Sequence, residues 1–213
     1  GILLGAYRCD RYKTTPEEGA PLDRLTVIFN QRSRAGSVQN GVEAGRISAA
    51  GANLARDLSN APGNDLPPRK LASKAREMSK SYDLKCKILT RKNITKEKMG
   101  ALLAVSAGSE EPPRFIILEY GEPSDDYDTI VFVGKGITFD SGGISLKPGS
   151  GMEEMKHDMS GAAAVVGAMR AIGEMKPPLH VVGLIPSSEN LPDGKALKPG
   201  DIITAYSGKT IEI

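Results

Sequence analysis

The sequence predicts an α/β fold in which a mixed sheet is flanked by helices. Short apolar runs typical of strands alternate with stretches whose apolar residues recur at helical spacing. With 213 residues, of which 39% are hydrophobic and 25% charged, the chain is long enough to enclose one sizeable core. A glycine-rich stretch at residues 131–161 follows one predicted strand, and in such folds ligands gather at the carboxyl ends of strands.

The first part of the chain predicts a loop, a strand and a long helix. Residues 14–21 contain prolines and paired glutamates and are predicted as a loop. The apolar run at residues 25–29 (LTVIF) is predicted as a buried strand. Residues 38–59 are predicted as a helix because their apolar side chains fall on one face. That face is formed by Ile47, Ala50, Leu54 and Leu58.

Prolines separate this helix from the next. Residues 60–68 (NAPGNDLPP) end the first helix, and Pro67 and Pro68 stand where a second helix begins. The buried stripe of the second helix is predicted to be Leu71, Ala75 and Met78. Apolar and lysine residues then alternate over residues 84–88, which is typical of a half-exposed strand.

The remaining elements continue the alternation of strands and helices. In chain order they are a short helix near residues 95–99 leading to 101–105, a strand at 115–118, an acidic loop at 121–128, a strand at 129–133, a helix at 161–172 and a buried strand at 179–185. The helix at 161–172 is rich in Ala and Val, which predicts that it packs closely on the sheet.

The charge distribution does not favour a nucleic-acid partner. The net charge is only +2, but residues 69–98 hold eleven Lys or Arg against three acidic residues. Tyr82 is the only aromatic side chain there that could stack on a base. A solvated basic face is therefore the preferred interpretation of this segment.

The cysteines and the apolar runs predict a cytoplasmic location. Cys9 and Cys86 form no C-x-x-C pattern, so both are expected to be reduced thiols. No run approaches the roughly 20 apolar residues of a membrane helix, and no signal peptide opens the sequence. The sequence begins with Gly1 rather than Met, and we expect it to be a fragment of a longer protein.

The glycine-rich stretch presents two lysines and two aspartates. Lys135, Asp140, Lys147 and Asp158 follow the strand at residues 129–133, on backbone that glycine allows to turn sharply. Two carboxylates and two ammonium groups in one loop suggest a site for a metal, a phosphate or a carboxylate. The rest of the chain is interpreted as the scaffold for this loop.

Several known motifs are absent from the chain. It contains neither G-x-x-x-x-G-K-[ST] nor GxGxxG, and Ser141 is not in a G-x-S-x-G elbow. His157 and His180 are the only histidines, which argues against a zinc site built from histidine. Oxygen ligation by Asp140 and Asp158 remains, and it suits hard or borderline divalent cations.

Each of these residues also has a structural interpretation. Asp140 can form a turn through its side chain, and Asp158 can cap the helix that follows it. Lys135 alone would more often be a solvated loop lysine, and Met155 is equally well explained as core filler. The segment after Lys147 has an ordinary turn composition. Only the joint spacing of the charged residues favours a functional site.

The motifs of this stretch resemble those of the leucine aminopeptidase (cytosol aminopeptidase) family. The resemblance rests on VGKGITFDSGG, on the lysine-proline of SLKP and on MKHDMSGAA, and it extends to NAPGNDLPP and to SSENLPDGKALKPGDIITAYSGKTIEI. It implies the incomplete C-terminal catalytic domain of a two-domain metallo-aminopeptidase, a two-metal exopeptidase that is typically a homohexamer. Residues 1–24 would be the interdomain linker and the start of this domain, and residues 25–213 its partial body.

The resemblance also implies a role for each candidate residue. Lys135, Asp140 and Asp158 match metal ligands, with Asp140 bridging two divalent cations (Zn or Mn, with Mg or Co as alternatives). Lys147 matches the catalytic lysine that polarises the substrate, and Met155 matches a residue lining the pocket for the N-terminal side chain. The implied reaction is hydrolysis of leucine-like N-terminal residues from peptides by a metal-activated water.

The same resemblance places two further carboxylate ligands and an arginine in an NTDAEGR signature expected soon after Ile213.

Physical chemistry predicts different protonation states for the two lysines. A lysine ligates a metal only as the neutral amine, so Lys135 must lose its proton. Lys147 should stay cationic in order to stabilise a developing oxyanion.

Two other functions remain as alternatives at this stage. One is a non-hydrolytic regulatory or nucleic-acid-binding protein on the same fold, which would show a steep fall of affinity with salt. The other is an inactive structural subunit of a larger assembly. The presence of Lys135, Asp140, Lys147 and Asp158 together argues against an inactive subunit.

Overall fold

A five-stranded mixed sheet organises the computed structural model, which describes residues 1–15 and 22–213. Its strands are β1 (Lys85–Leu89), β2 (Arg114–Tyr120), β3 (Thr129–Val133), β4 (Gly136–Asp140) and β5 (His180–Asn190). The described helices are α1 (Ile2–Gly5), α2 (Ala35–Asn60), α3 (Pro68–Ser81), α4 (Arg91–Lys96), α5 (Gly100–Val105) and α6 (Ser160–Met175). A small hairpin of β6 (Ile202–Thr204) and β7 (Thr210–Glu212) follows the sheet, and three short 3-10 helices complete the description (Arg32–Arg34, Ser106–Gly108 and Met152–His157).

The long strand β5 is the axis of the sheet. β2 pairs antiparallel with one edge of β5, and β1 pairs antiparallel with β2. β3 and β4 both run parallel to β5, where β3 faces residues 180–184 and β4 begins opposite Ser187. The two short strands therefore follow one another along the same edge of β5, separated by Gly134 and Lys135. This arrangement confirms the predicted α/β fold with a mixed sheet.

The core lies between the sheet and the helices α2, α3 and α6. Its fully buried side chains come from every layer, for example Leu71 of α3, Ile116 and Leu118 of β2, Met169 of α6 and Ile185 of β5. The predicted stripe of the second helix is confirmed, because Leu71, Ala75 and Met78 are all buried. Burying these apolar surfaces is the main source of the stability of such a domain.

Close helix packing is achieved with glycine where α2 crosses α6. A Cβ atom added at Gly51 would lie 2.6 Å from the carbonyl oxygen of Gly167, and one added at Gly167 would lie 2.4 Å from that of Gly51. Neither residue could carry a side chain without moving the two helices apart. The predicted helices at 38–59 and 161–172 are confirmed, each a few residues longer than expected.

Three predictions about single elements need correction. The run at residues 25–29 is wrong as a buried strand: no strand forms there, and Ile28 is 91% exposed. The short helix near residues 95–99 lies earlier, at Arg91–Lys96, where Asn93 Oδ1 accepts the Thr90 backbone N–H at 3.0 Å. β4 is a strand inside what was predicted as a loop. The predicted loop at residues 14–21 extends over residues 16–21, which lie outside the described ranges.

Two sequence observations recur in the structure. Cys9 and Cys86 are both free cysteines, as expected. None of the helices in the described ranges is long and apolar enough to cross a membrane.

Candidate metal-binding site

Asp140 occupies the last position of β4, opposite Asn190 at the end of β5. Its Oδ1 atom accepts hydrogen bonds from the backbone N–H of Gly142 at 3.0 Å and from Asn190 Nδ2 at 2.7 Å. Its Oδ2 atom forms an ion pair with Lys147 Nζ at 2.6 Å. The predicted turn-forming contact with Gly142 is present, and the carboxylate has two further polar partners, Asn190 and Lys147.

A tight turn after β4 returns the chain towards Asp140. Gly142 and Gly143 adopt φ angles of +89° and +69°, which L-residues with a side chain rarely adopt. The turn closes with a hydrogen bond from the backbone N–H of Lys147 to the carbonyl oxygen of Ser141 at 2.9 Å. The two glycines thus allow Lys147 to reach a carboxylate seven residues earlier in the chain.

Lys147 and Met155 are in contact at the site. Lys147 Nζ lies 3.0 Å from Met155 Sδ, in addition to its ion pair with Asp140. The Lys147 side chain is 36% exposed and that of Asp140 is 15% exposed, so the pair lies at the protein surface with one face open to solvent. The structure therefore brings three of the predicted residues together.

Lys135 and Asp158 form the second pair of the site. Lys135 Nζ lies 2.7 Å from Asp158 Oδ1, with the lysine side chain 60% exposed and the aspartate 19% exposed. A backbone hydrogen bond holds the two segments together, because the Lys135 carbonyl oxygen accepts the Ala162 N–H at 2.8 Å. A Cβ atom at Gly134 would lie 2.5 Å from the carbonyl oxygen of Gly161, so glycine is needed where the end of β3 approaches the start of α6.

The interpretation of Asp158 as a helix cap is wrong. Met159 occupies the N-cap position of α6, and no side chain in the described ranges caps that helix. Asp158 Oδ2 is instead buried, with no hydrogen-bond partner among residues 1–15 and 22–213. A buried carboxylate oxygen without a partner is costly, and a bound cation would satisfy it.

His157 contacts the end of α2. Its Nδ1 atom lies 2.8 Å from the Ser59 carbonyl oxygen, and Ser160 Oγ donates to the His157 carbonyl oxygen at 2.6 Å. The contact with Ser59 fastens the segment that carries Met155 and Asp158 to the end of α2.

The environment of Asp140 lowers its pKa. Burial is the largest single influence and would raise the pKa of this carboxyl group. The hydrogen bonds from Lys147, Gly142 and Asn190 and the positive charge of Lys147 together outweigh burial. Asp140 is therefore an ionised carboxylate, which is the form that a metal ligand requires.

The residues present fit divalent cations. Two carboxylates, one with an unsatisfied buried oxygen, provide hard oxygen donors, and each is neutralised by a lysine ammonium group that stands where a cation would. Over residues 1–15 and 22–213, no group of three or more His, Cys, Asp or Glu side chains is placed to hold a metal. The described part of the chain thus offers two carboxylates and one lysine as candidate ligands.

An apolar cavity beside Lys135 was not anticipated from the sequence. Its volume is about 880 Å³, and it lies between α5, the ends of β3 and β5, and the hairpin that contains Tyr206. Phe115, Val133 and Ile137 contribute to its wall. Met155 does not line this cavity, so the structure associates Met155 with Lys147 rather than with a large pocket.

Asn190 is the polar residue of the site that sequence reasoning missed. The predicted strand ended at residue 185, whereas β5 continues through Pro186 to Asn190. The available signal is the motif SSEN, which belongs to the wider family resemblance.

Comparison with known proteins identifies relatives over nearly the whole chain. The catalytic-domain model of the cytosol aminopeptidase family matches residues 53–213. A probable cytosol aminopeptidase of Nitrosococcus oceani is 50% identical over 209 residues, covering 97% of this chain and 42% of that protein. One from Geotalea uraniireducens is 50% identical over 214 residues, covering 100% of this chain and 43% of that protein. The chain thus spans less than half the length of these curated relatives.

Solved structures share the same fold. The bottromycin maturation enzyme BotP in complex with Mn superposes with a TM-score of 0.84 at 40% sequence identity. The match covers 99% of this chain and 43% of BotP. A second structure of BotP gives a TM-score of 0.83 at the same identity.

Proposed function

This chain belongs to the cytosol aminopeptidase family, and from that premise we propose that the complete protein is a metal-dependent aminopeptidase. Its substrates would be peptides, from which it removes leucine-like N-terminal residues. The observation that carries the proposal is the pairing of two carboxylates with two lysines around β4, with one carboxylate oxygen of Asp158 buried and unsatisfied. A cation bound beside Asp158 would satisfy that oxygen.

The proposed ligands on this chain are Lys135, Asp140 and Asp158, which would hold two divalent cations. Manganese or zinc is preferred, with magnesium or cobalt as alternatives, and manganese gains support from the BotP structure in complex with Mn. When bound, two such cations bind the substrate amine, polarise the peptide carbonyl and lower the pKa of a water molecule. Asp140, ionised and between the two lysines in sequence, would be the bridging ligand.

Lys135 must give up its proton in order to ligate. Its side chain is 60% exposed. The positive charge of a cation bound next to Lys135 and Asp158 would have to favour the neutral amine. Deprotonation of Lys135 and metal binding are therefore a single coupled event.

Lys147 has a different proposed role, which is to remain protonated and to donate to the substrate. Its Nζ atom is held at 2.6 Å from Asp140 Oδ2 and at 3.0 Å from Met155 Sδ. A cation held there can donate a hydrogen bond to a peptide carbonyl oxygen as negative charge develops on it. Met155 would support Lys147 and line the adjacent site for the N-terminal side chain of the peptide.

The organisation of the complete protein follows from the same premise. We infer a cytoplasmic homohexamer in which residues 1–24 link to another domain and residues 25–213 form part of the catalytic domain. A nucleic-acid-binding function is not proposed, because carboxylates neutralise part of the basic segment at residues 69–98. The ion pairs that do so are Arg69–Glu111, Lys74–Glu77 and Lys85–Glu122.

Metal removal tests the proposal directly. The complete protein should hydrolyse a leucyl amide, lose that activity after dialysis against a chelator, and regain it on addition of Mn²⁺ or Zn²⁺. A leucyl amide blocked at its amino group is the matched control, and it should not be cleaved. Turnover that persists after the metals have been removed, or equal cleavage of the blocked amide, would overturn the proposed function.

A further inference from the structure

The side chain of Asn190 is directed at the candidate bridging ligand. Asn190 is the last residue of β5 and the register partner of Asp140. Its Nδ2 atom lies 2.7 Å from Asp140 Oδ1. An ionised carboxylate can only accept hydrogen bonds, so the amide must present its NH₂ group to Asp140 and its oxygen to the other side.

The surroundings of Asn190 hold it in that orientation. The backbone carbonyl oxygen of Asn190 accepts hydrogen bonds from both the backbone N–H of Ser141 at 2.9 Å and the Ser141 hydroxyl at 2.7 Å. On the other side, a Cβ atom at Gly143 would lie only 2.8 Å from Asn190 Oδ1, so the turn closes tightly over the amide. The side chain is confined between the strand end and the turn, and it has little freedom to rotate away from Asp140.

This contact divides the two oxygens of Asp140 between two tasks. Oδ1 accepts the Gly142 N–H and the Asn190 NH₂, which occupy both of its lone-pair directions. Among the described residues, Oδ2 accepts a hydrogen bond from Lys147 alone. Oδ1 is therefore committed to the protein, and Oδ2 keeps a lone pair that can face a cation.

We infer that Asn190 is a positioning residue that fixes Asp140 Oδ1 so that Oδ2 is presented to the metals. This inference rests on the proposed function, because it takes Asp140 to be a metal ligand. Side chains that orient a ligand in this way typically contribute 10- to 100-fold to metal affinity. A neutral amide suits the task, since it orients the carboxylate without cancelling the charge that attracts the cations.

The experiment measures Mn²⁺ binding to the complete, metal-free protein by titration calorimetry. Asn190→Ala should raise the dissociation constant for Mn²⁺ about 10- to 100-fold. Glu189→Gln is the matched control: Glu189 precedes Asn190 on β5, points to the opposite face and accepts a hydrogen bond from Ser109 Oγ at 2.5 Å. It should bind Mn²⁺ as the wild type does. Asn190→Ser, which is polar but too short to reach Asp140, gives the same measurement if the alanine variant does not fold.

The melting temperature of the metal-free protein, compared between Asn190→Ala and the wild type, separates a positioning role from a merely structural one. Wild-type Mn²⁺ affinity in Asn190→Ala, or an equal loss in Glu189→Gln, would overturn the inference. The variant Asp140→Asn tests the premise in the same titration. If Asp140→Asn loses Mn²⁺ while Asn190→Ala keeps it, the proposed function stands and the inference fails. If Asp140→Asn binds Mn²⁺ normally, both fail together.

Discussion

Gly51 and Gly167 meet backbone to backbone where α2 crosses α6. A Cβ atom placed on either residue would lie within 2.6 Å of the carbonyl oxygen of the other. We expect Gly167→Ala to lower the free energy of unfolding by about 1–3 kcal/mol, because a methyl group must push two packed helices apart. Since α6 begins two residues after Asp158, metal affinity should fall as well. Denaturant unfolding and Mn²⁺ titration measure the two effects.

Gly45→Ala supplies the control for this prediction. Gly45 also lies in α2, but a Cβ atom there would meet nothing within 4 Å. Alanine is the better helix former, so this variant should be up to about 1 kcal/mol more stable. Equal destabilisation by both substitutions would mean that glycine at the crossing is not required for packing.

Asp140→Asn should abolish metal-dependent peptidase activity in the complete protein. The variant loses the anion that would bridge two cations, and a loss of roughly a thousandfold or more in kcat is expected, about 4 kcal/mol in the barrier. Asp201→Asn is the matched control, because Asp201 is also paired with a lysine, Lys198, at 2.9 Å. Near-normal turnover of Asp140→Asn with two metals bound would remove Asp140 from the site.

Lys135 and Lys147 should respond differently to substitution by alanine. Lys147→Ala should retain both metals and lose rate, since only an interaction with the developing oxyanion is removed. Lys135→Ala should reduce the occupancy of one metal. Metal titration and steady-state kinetics of both variants, with Lys156→Ala as a neighbouring control, decide between the roles. Identical stoichiometry and affinity in the two variants would contradict them.

Asp65 should titrate at a lower pH while Tyr12 is present. The Tyr12 hydroxyl donates to Asp65 Oδ2 at 2.5 Å, and this hydrogen bond is the main cause of the lowered pKa of Asp65; burial opposes it and the positive charge of Arg11 assists it. Because the pKa of Asp65 in the folded state lies below the ordinary 3.8, the ionised carboxylate stabilises the fold at pH values above 3.8. This contribution to stability is lost as the pH falls through the lowered pKa. Tyr12→Phe should therefore raise the pKa of Asp65.

Carbon-13 NMR of the side-chain carboxyl group follows this titration. Tyr7→Phe is the control, because the Tyr7 hydroxyl donates to Asp57 instead, at 2.9 Å. An unchanged titration of Asp65 in Tyr12→Phe would show that the Tyr12 hydroxyl does not donate to Asp65 in solution.

The 213-residue chain, purified by itself, should bind at most one divalent cation weakly and should not turn over a leucyl amide. Its proposed ligands are two carboxylates and one lysine, and affinity depends on the number and charge of the ligands. It should also self-associate, because β3 exposes apolar side chains such as Val131 and Val133, which are 51% and 71% exposed. Sedimentation and calorimetry test both statements. Turnover comparable to that of an intact enzyme would contradict the two-metal mechanism.

Much of the fold could be predicted because periodicity and burial agree. The helix at Pro68–Ser81 has proline at its start and a buried stripe of Leu71, Ala75 and Met78, so its pattern and its packing carry the same signal. The run at residues 25–29 shows the opposite case. Its apolar residues predict burial, yet burial requires a partner, and no strand in the described ranges pairs with it.

The charged residues of the candidate site were found from the sequence, but their pairing was not. Chain order suggested no reason for Lys147 to bind Asp140 while Lys135 binds Asp158. That choice is made by the turn at Gly142 and by the close approach of Gly134 to Gly161, which only three-dimensional packing reveals. Strand β4 was hidden for a related reason, since its glycine neighbours suggested a loop although Gly136 and Thr138 alternate with more exposed residues.

The order of strands around β5 has a consequence for the timing of folding. Asp140 finds its partner Asn190 50 residues later in the chain, and α6 and most of β5 lie between them. Contacts so distant in sequence form late, because the entropy of closing the intervening loop must be overcome first. A chain emerging from the ribosome would have the first of its proposed ligands long before it could orient them. If these residues hold a metal as proposed, firm binding marks the end of folding rather than an early step.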